Sequence, residues 1–203
     1  MATKKIGIYG GTFSPPHMGH VGAAKSFVEK AELDELLIMP DFLPPHKEYD
    51  GNVTAEDRLE MARIAFSGIK NSTVSDMEIK RGGKSYTSVT LEELSGDDRE
   101  LYFLCGTDMF LTLEEWYRAP LIFSLATICY VRRESDKEIT ERIEKLTSEY
   151  KKKYGARIIA IETDVLEISS SELRSYLKND PEKASNYIPH GVYKYISDRG
   201  LYR

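Results

Sequence analysis

The stretch KIGIYGGTFSPPHMGH, Lys5 to His20, runs from an apolar strand through two glycines and two prolines into two of the chain's four histidines. KIGIY has strand length, and Met18, Val21, Ala24, Val28 and Ala31 recur at helical spacing just after it. The residues between them therefore form a strand-to-helix turn. Gly10 and Gly11 carry no Cβ, so backbone amides there can come close to a ligand. The start of the helix adds unsatisfied N–H groups and the positive end of its dipole. Pro15 and Pro16 stiffen the turn. His17 and His20, at i and i+3, fall on one side of the first helical turn, offset from the apolar face.

The same alternation recurs along the chain. Apolar runs of strand length are KIGIY, LLIM, TVSDMEI, LYFLC, TICYV and RIIAI. Most are nearly continuous, as strands covered on both faces are. Helical patterns lie between them, carried by Leu59, Ala62 and Phe66, then by Ile139, Ile143, Leu146 and Tyr150. This order predicts an α/β fold, a Rossmann-like doubly wound parallel sheet flanked by helices. Ligands of such sheets sit beyond the carboxyl ends of the strands. From Ile168 onward the pattern is helical only: ISSSELRSYLKN, PEKASNYI and PHGVYKYISDRGLYR. Ser169 with Glu172 three residues later makes a capping box, and Gly200 is placed to end a last helix that presents Val192, Tyr195, Ile196 and Arg199. The expectation is one domain over residues 1–203, with 168–203 as a small helical C-terminal segment packed on it. The charged stretch Arg132 to Lys153 reads as a solvated amphipathic helix.

Bulk properties narrow the function classes. A net charge of −5 and a pI of about 5.5 argue against broad nucleic-acid binding, so any anion must be held locally. No window approaches the ~18 uninterrupted apolar residues of a membrane span, and MATKKIGIYGG lacks the apolar core of a signal peptide. A cytoplasmic protein with no nucleic-acid and no membrane partner is expected, with a homo-oligomer left open. Cys105 and Cys129 lie in apolar runs without CxxC spacing and read as buried reduced thiols.

Three readings compete for His17 and His20. Metal ligation lacks a third ligand nearby. Helix capping is the structural alternative. The third is donation of hydrogen bonds to phosphoryl oxygens as charge builds on them, and the Gly-Gly turn favours it. RGGKS, Arg81 to Ser85, imitates the end of a Walker A loop, but that motif needs glycine where this chain has Glu78. The G-x-G-x-x-G dinucleotide fingerprint is absent from the first turn, which argues against a hydride-transfer enzyme.

GGTFSPPHMGH resembles the G-x-F-x-P-x-H-x-G-H signature of the nucleotidylyltransferase superfamily, and ISSSELR, Ile168 to Arg174, resembles its second signature, I-S-S-T-x-I-R. MPDFLPPHK, GGKSYT, GTDMF with Trp116 and Tyr117 after it, CYVRR and YISDRGLYR are together similar to the bacterial nicotinate-nucleotide adenylyltransferases. The resemblance spans essentially the whole chain. It implies adenylyl transfer from ATP to nicotinate mononucleotide, giving nicotinate adenine dinucleotide and pyrophosphate, without a covalent intermediate. An attacking phosphate is already ionised at neutral pH and needs no general base, so positioning and charge neutralisation carry the catalysis.

The resemblance also implies roles. His17, His20 and Arg174 take catalytic positions. Gly10, Gly11, Thr12, Phe13, His17, His20, Gly106, Asp108, Ile168, Ser169, Ser170 and Arg174 would contact ATP, with Asp108 accepting hydrogen bonds from ribose hydroxyls. Lys47, beside His46 in a Pro-rich loop, would contact phosphate. Tyr86, Thr87, Trp116, Tyr117 and Arg133 would bind the mononucleotide, an aromatic at 116 or 117 stacking on the pyridine. Read alone, Trp116 is more often a core or subunit contact, and Asp108 is equally a helix cap. Mg2+ would be held by phosphates and water rather than by side chains. Ser14 stands where aspartate is usual, which touches the hydrogen bonds organising the turn, and Ser171 replaces a threonine. The alternatives are a sister adenylyltransferase for nicotinamide mononucleotide or phosphopantetheine, a catalytically silent nucleotide-binding module, and metal-dependent hydrolysis at the histidines.

Overall fold

The computed structural model describes residues 3–44, 52–132, 137–163 and 168–203. Its chain runs β1 (Lys4–Gly11), α1 (Met18–Lys30), β2 (Glu35–Pro40), α2 (Ala55–Phe66), β3 (Ser72–Val74), α3 (Met77–Arg81), α4 (Thr87–Leu94), β4 (Arg99–Cys105) and α5 (Thr107–Phe110). There follow α6 (Ala119–Leu125), β5 (Ala126–Arg132), α7 (Lys137–Tyr154), β6 (Ile158–Glu162), α8 (Ser170–Asn179), α9 (Pro181–Ser185) and α10 (His190–Arg199). The six strands form one parallel sheet in the order β3-β2-β1-β4-β5-β6. The Rossmann-like α/β expectation is met. After β3 the chain returns to lay β4 beside β1, so strand order reverses between those two and their carboxyl ends open a crevice.

The near-continuous apolar strands follow from cover on both faces. Tyr102 and Leu104 of β4 face a core shared with Phe27 of α1, Met61 of α2, Leu173 of α8 and Ile196 of α10. Leu101, Phe103 and Cys105 face the other, with Leu91, Phe123 and Tyr150 from α4, α6 and α7. Cys129 lies on the first face and Cys105 on the second, so the sheet separates the two thiols. Burial pushes both up, Cys129 to about 12, which makes inert reduced thiols of them.

Helix ends follow local chemistry. Ser169 caps α8 reciprocally with Glu172 as its spacing predicts, and Gly200 ends α10 at φ +61°, with Leu201 N–H reaching the Ile196 carbonyl. TVSDMEI corrects the expectation of a single strand. Only Ser72–Val74 pair in the sheet before the Ser75 hydroxyl accepts the Met77 N–H at 3.3 Å and the chain turns into α3. A local side-chain bond there outcompetes the ladder. Met18 and Ile139 also depart from their expected faces. Each stands exposed in the first turn of its helix, and burial begins one turn later at Val21 and Ile143.

Gly7 shows how tightly the first strand is packed, since a Cβ there would lie 2.3 Å from Leu33 Cδ1 and 2.9 Å from Phe27. Gly7→Ala should overpack the core and cost about 1–3 kcal/mol. Urea unfolding should show a lower midpoint at unchanged slope.

Candidate active site

The turn after β1 is built from residues with conflicting demands. Phe13 takes φ +47° and is almost wholly buried. Its ring meets Tyr9, Phe66 and His20 edge-on at centroid distances of 5.5, 5.4 and 5.2 Å. Such contacts contribute about 0.5–1.5 kcal/mol each and offset a strained backbone of about 1–2 kcal/mol. Gly11 is needed because that ring covers it, a Cβ meeting Phe13 at 3.0 Å, whereas a Cβ on Gly10 would meet only the Phe103 ring, at an ordinary 3.9 Å. Of the two glycines, then, one makes room for a side chain rather than a ligand.

His17 is the N-cap of α1 and His20 its third residue, and they cap each other. His17 Nδ1 accepts the His20 N–H at 3.3 Å, and His20 Nδ1 accepts the His17 N–H at 3.2 Å. The rings lie 3.6 Å apart, centroid to centroid. Because both Nδ1 atoms accept, the hydrogen-bond network assigns the proton of each neutral imidazole to Nε2, which becomes the donor nitrogen. Capping and phosphate donation are therefore compatible, each using a different nitrogen. The described residues gather no group of three His, Cys, Asp or Glu side chains able to hold a metal.

The start of α8 meets this turn across the chain. Ser170 Oγ donates to the Pro15 carbonyl at 3.1 Å, and Arg174 Nη1 donates to the Ser14 carbonyl at 2.8 Å while Nη2 reaches Ser171 Oγ at 3.0 Å. The Tyr187 carbonyl accepts the Met18 N–H at 2.8 Å. Ser169 uses its side chain to cap α8, and Ile168 is buried in the core rather than presented to a ligand. Ser14, where aspartate was expected, lies 2.9 Å from the Tyr202 hydroxyl. Burial pushes the Tyr202 phenol up, against Ser14, Arg174 and Arg58, which pull it down.

At the carboxyl end of β4, Gly106 caps α5, and a Cβ on it would come within 2.6 Å of Asp108 Oδ1. The glycine makes room for that carboxylate, which is otherwise exposed. Thr107 Oγ1 donates to the Val131 carbonyl at 2.5 Å and fastens this end of β4 to β5.

The proposed acceptor residues fall into two groups. Tyr86, the N-cap of α4 ahead of Thr87, pairs with exposed Tyr117 at 4.6 Å between ring centroids. Trp116 instead packs edge-on against Phe103 at 6.1 Å, so of the two neighbouring aromatics Tyr117 is the accessible one. His46, Lys47 and Arg133 lie outside the described residues.

Sequence reasoning missed the residues that hold the turn from behind. Arg58 of α2 is fully buried. Its Nη1 donates to Asp41 Oδ1 at 2.9 Å and to the Thr12 carbonyl at 3.0 Å, and its Nη2 to the Phe42 carbonyl at 3.1 Å. Thr12 Oγ1 donates to Asp41 Oδ2 at 2.8 Å. Neighbouring Asp57 accepts from the Tyr195 hydroxyl at 2.9 Å, pairs with Arg199 at 3.0 Å and caps α2 together with Thr54. A charged pair just after β2 and just inside α2 is the one local signal, and it does not say that the charges are buried.

The fold and the site define a class, a doubly wound sheet with two helix starts gathered at the end of its first strand. The chain belongs to the cytidylyltransferase-like family, whose profile matches residues 8–176. A Desulfatibacillum aliphaticivorans protein named "Probable nicotinate-nucleotide adenylyltransferase" is 36% identical, over 98% of this chain and 99% of its own. A Clostridium botulinum protein of the same name is 35% identical over 98% of both. Among solved structures, Plasmodium falciparum nicotinic acid mononucleotide adenylyltransferase complexed with NaAD superposes with a TM-score of 0.74. It is 21% identical and is matched over 98% of this chain and 97% of that one, a likeness of fold.

Asp57 gives a pH test of the scaffold. Burial alone would raise its carboxyl, but Thr54, Tyr195 and Arg199 outweigh that and hold it below its ordinary value. A depressed carboxylate contributes stability that is present above its unfolded pKa, about 4, and is lost as pH falls through the folded value. Asp57→Asn should cost about 1 kcal/mol at pH 7, the Arg199 share discounted for its exposure. Thermal unfolding should show that gap closing below about pH 4.

Proposed function

We propose that the protein transfers the adenylyl group of ATP to nicotinate mononucleotide, giving nicotinate adenine dinucleotide and pyrophosphate. A phosphate oxygen of the mononucleotide attacks the α-phosphorus of ATP, the bond from that phosphorus to the bridging oxygen breaks, and pyrophosphate leaves with the electron pair. The nucleophile is already ionised, so no residue has to take a proton from it. What the reaction needs is alignment of two anions and donors aimed at the charge they share.

The observation that carries this reading is the convergence of the α1 and α8 starts, where Arg174 and Ser170 bond to the Ser14 and Pro15 carbonyls. It brings the Nε2 donors of His17 and His20, the guanidinium of Arg174 and the backbone at Gly10 to one end of the sheet. In this reading those groups hold the triphosphate, and Asp108 meets the ribose at the neighbouring carboxyl end of β4. Tyr86, Thr87 and Tyr117 contact the pyridine end, with Trp116 supporting them from the side of Phe103. Lys47 and Arg133 complete the phosphate contacts of the two nucleotides.

The imidazole and guanidinium donors suit phosphate oxygens rather than a hard cation, so the site fits a magnesium ion that arrives on ATP. When bound, that ion supplies charge neutralisation between the phosphates. In this reading the chain is one domain, acts in the cytoplasm on two small molecules, and engages no nucleic acid or membrane. Among the described residues no helix is long and apolar enough to cross a bilayer.

Pyrophosphate release from ATP, measured with nicotinate and nicotinamide mononucleotides and phosphopantetheine in turn, tests the reading. Turnover should be fastest with the nicotinate form, and equal or faster turnover with either other acceptor overturns that choice. His20→Ala should lower kcat about a hundredfold or more, since it removes a donor aimed at developing charge. It also removes half of a reciprocal helix cap, so unfolding free energy should fall by about 1 kcal/mol while the protein stays folded.

A further inference from the structure

RGGKS is a phosphate-loop imitation that the proposed reaction does not use, and the residue that spoils the imitation, Glu78, is among the most deeply buried charged groups of the described chain. Gly82 and Gly83 take φ +68° and +70° with nothing within 4 Å of a Cβ on either, so they serve a sharp reversal of the backbone. That reversal brings the strap from Lys84 to Tyr86 back over α3 and against the loop that follows β2. There Leu43 and Lys84 form a parallel bridge, Ser85 N–H donates to the Leu43 carbonyl at 2.9 Å, and Ser85 Oγ accepts the Phe42 N–H at 3.0 Å.

Glu78 closes this arrangement from below. Thr90 of α4 donates to Glu78 Oε1 at 2.5 Å, while the Ser85 hydroxyl accepts from Phe42. Arg81 lies 3.6 Å from the same oxygen and donates to Thr90 and Glu93 at 2.8 and 2.9 Å. One carboxylate therefore ties α3 to α4, beside the strap that Ser85 fastens to the root of the β2 loop. Tyr86 and Thr87 follow immediately, at the start of α4.

We propose that Glu78 is a positioning residue for the acceptor half of the site, fixing through Thr90 the seat of α4 and with it the place of Tyr86 and Thr87 at its start, and hence the affinity for the pyridine end. The proposal rests on the reading of those two residues as acceptor contacts. Burial raises the Glu78 carboxyl against the pull of Thr90, Ser85 and Arg81, and nearby Asp41 adds to the rise. The group thus stands at an energetic cost that a surface residue tying the same loop would not carry. A neutral amide in its place loses the pairing with Arg81 and accepts more weakly from Thr90, so Glu78→Gln loosens the seat of α4 while keeping the volume.

The test uses steady-state kinetics of the whole protein with Glu78→Gln, Thr90→Val and the double variant. Each single change should raise KM for nicotinate mononucleotide about fivefold or more, with kcat and KM for ATP held within about twofold, as follows when only ground-state binding of one substrate is lost. The double variant should be no worse than the worse single one, because both act through one hydrogen bond. Thermal unfolding identifies a variant that fails to fold, and Thr90→Val then carries the test alone. Loss shared equally between the two substrates and kcat, additive effects, or an unchanged KM for the mononucleotide would each overturn the role of Glu78. Absence of wild-type turnover with nicotinate mononucleotide would instead overturn the functional reading and the proposal with it.

Discussion

Two hydrogen bonds, from Ser170 to the Pro15 carbonyl and from Arg174 to the Ser14 carbonyl, join positions 155 and 160 residues apart in the chain. They satisfy carbonyls in a turn whose prolines contribute no N–H of their own. They also fasten a guanidinium to the turn that leads into the paired imidazoles, which neither helix could arrange by itself. Because the two partners are so distant in sequence, the site exists only once the entire sheet and the three helices after it have formed. Catalytic geometry and global folding are in this way one event.

Behind that junction lies a second device, the Arg58–Asp41 pair. Removing one partner from a buried ion pair strands the other and typically costs about 3–5 kcal/mol, while the intact pair contributes little net stability. Its worth is directional. Arg58 binds the carbonyls of Thr12 and Phe42 as well as Asp41, so the ends of β1 and β2 have one permitted spacing. Asp41 also faces the Glu78 cluster electrostatically. The loop after β2 thus borders both sides of the proposed site, with Asp41 bonded to Thr12 and Arg58, and Phe42 and Leu43 bonded to Ser85.

Local signals in the chain proved readable and distant ones did not. The strand runs, the Ser169–Glu172 box and the Gly200 terminus each depend on residues within one or two turns, and the structure has them where the spacing puts them. The two signature segments stand out because their glycines, prolines, serines and histidines lie close together, and the structure brings both to the end of β1. Tyr202, Arg58 and Glu78 left no such trace. The identity of Tyr202 as the partner of Ser14 depends on a separation of 188 residues, and nothing near position 14 encodes it. The misreading of TVSDMEI has the same root in reverse. Its apolar content suggested a strand, while the turn at Ser75 and the buried partner awaiting Glu78 were decided by short-range hydroxyl chemistry and by α4.

The early end of β3 has a consequence for the behaviour of the protein in crowded solution. An outermost strand offers its outer amides and carbonyls to any neighbouring extended peptide, and long flat margins are where aggregation begins. Here that margin is three residues long before the backbone coils away and satisfies its own hydrogen bonds in α3. The sheet therefore presents too little ladder on this side to recruit another chain, and its high content of branched apolar residues stays shielded from amyloid-like stacking.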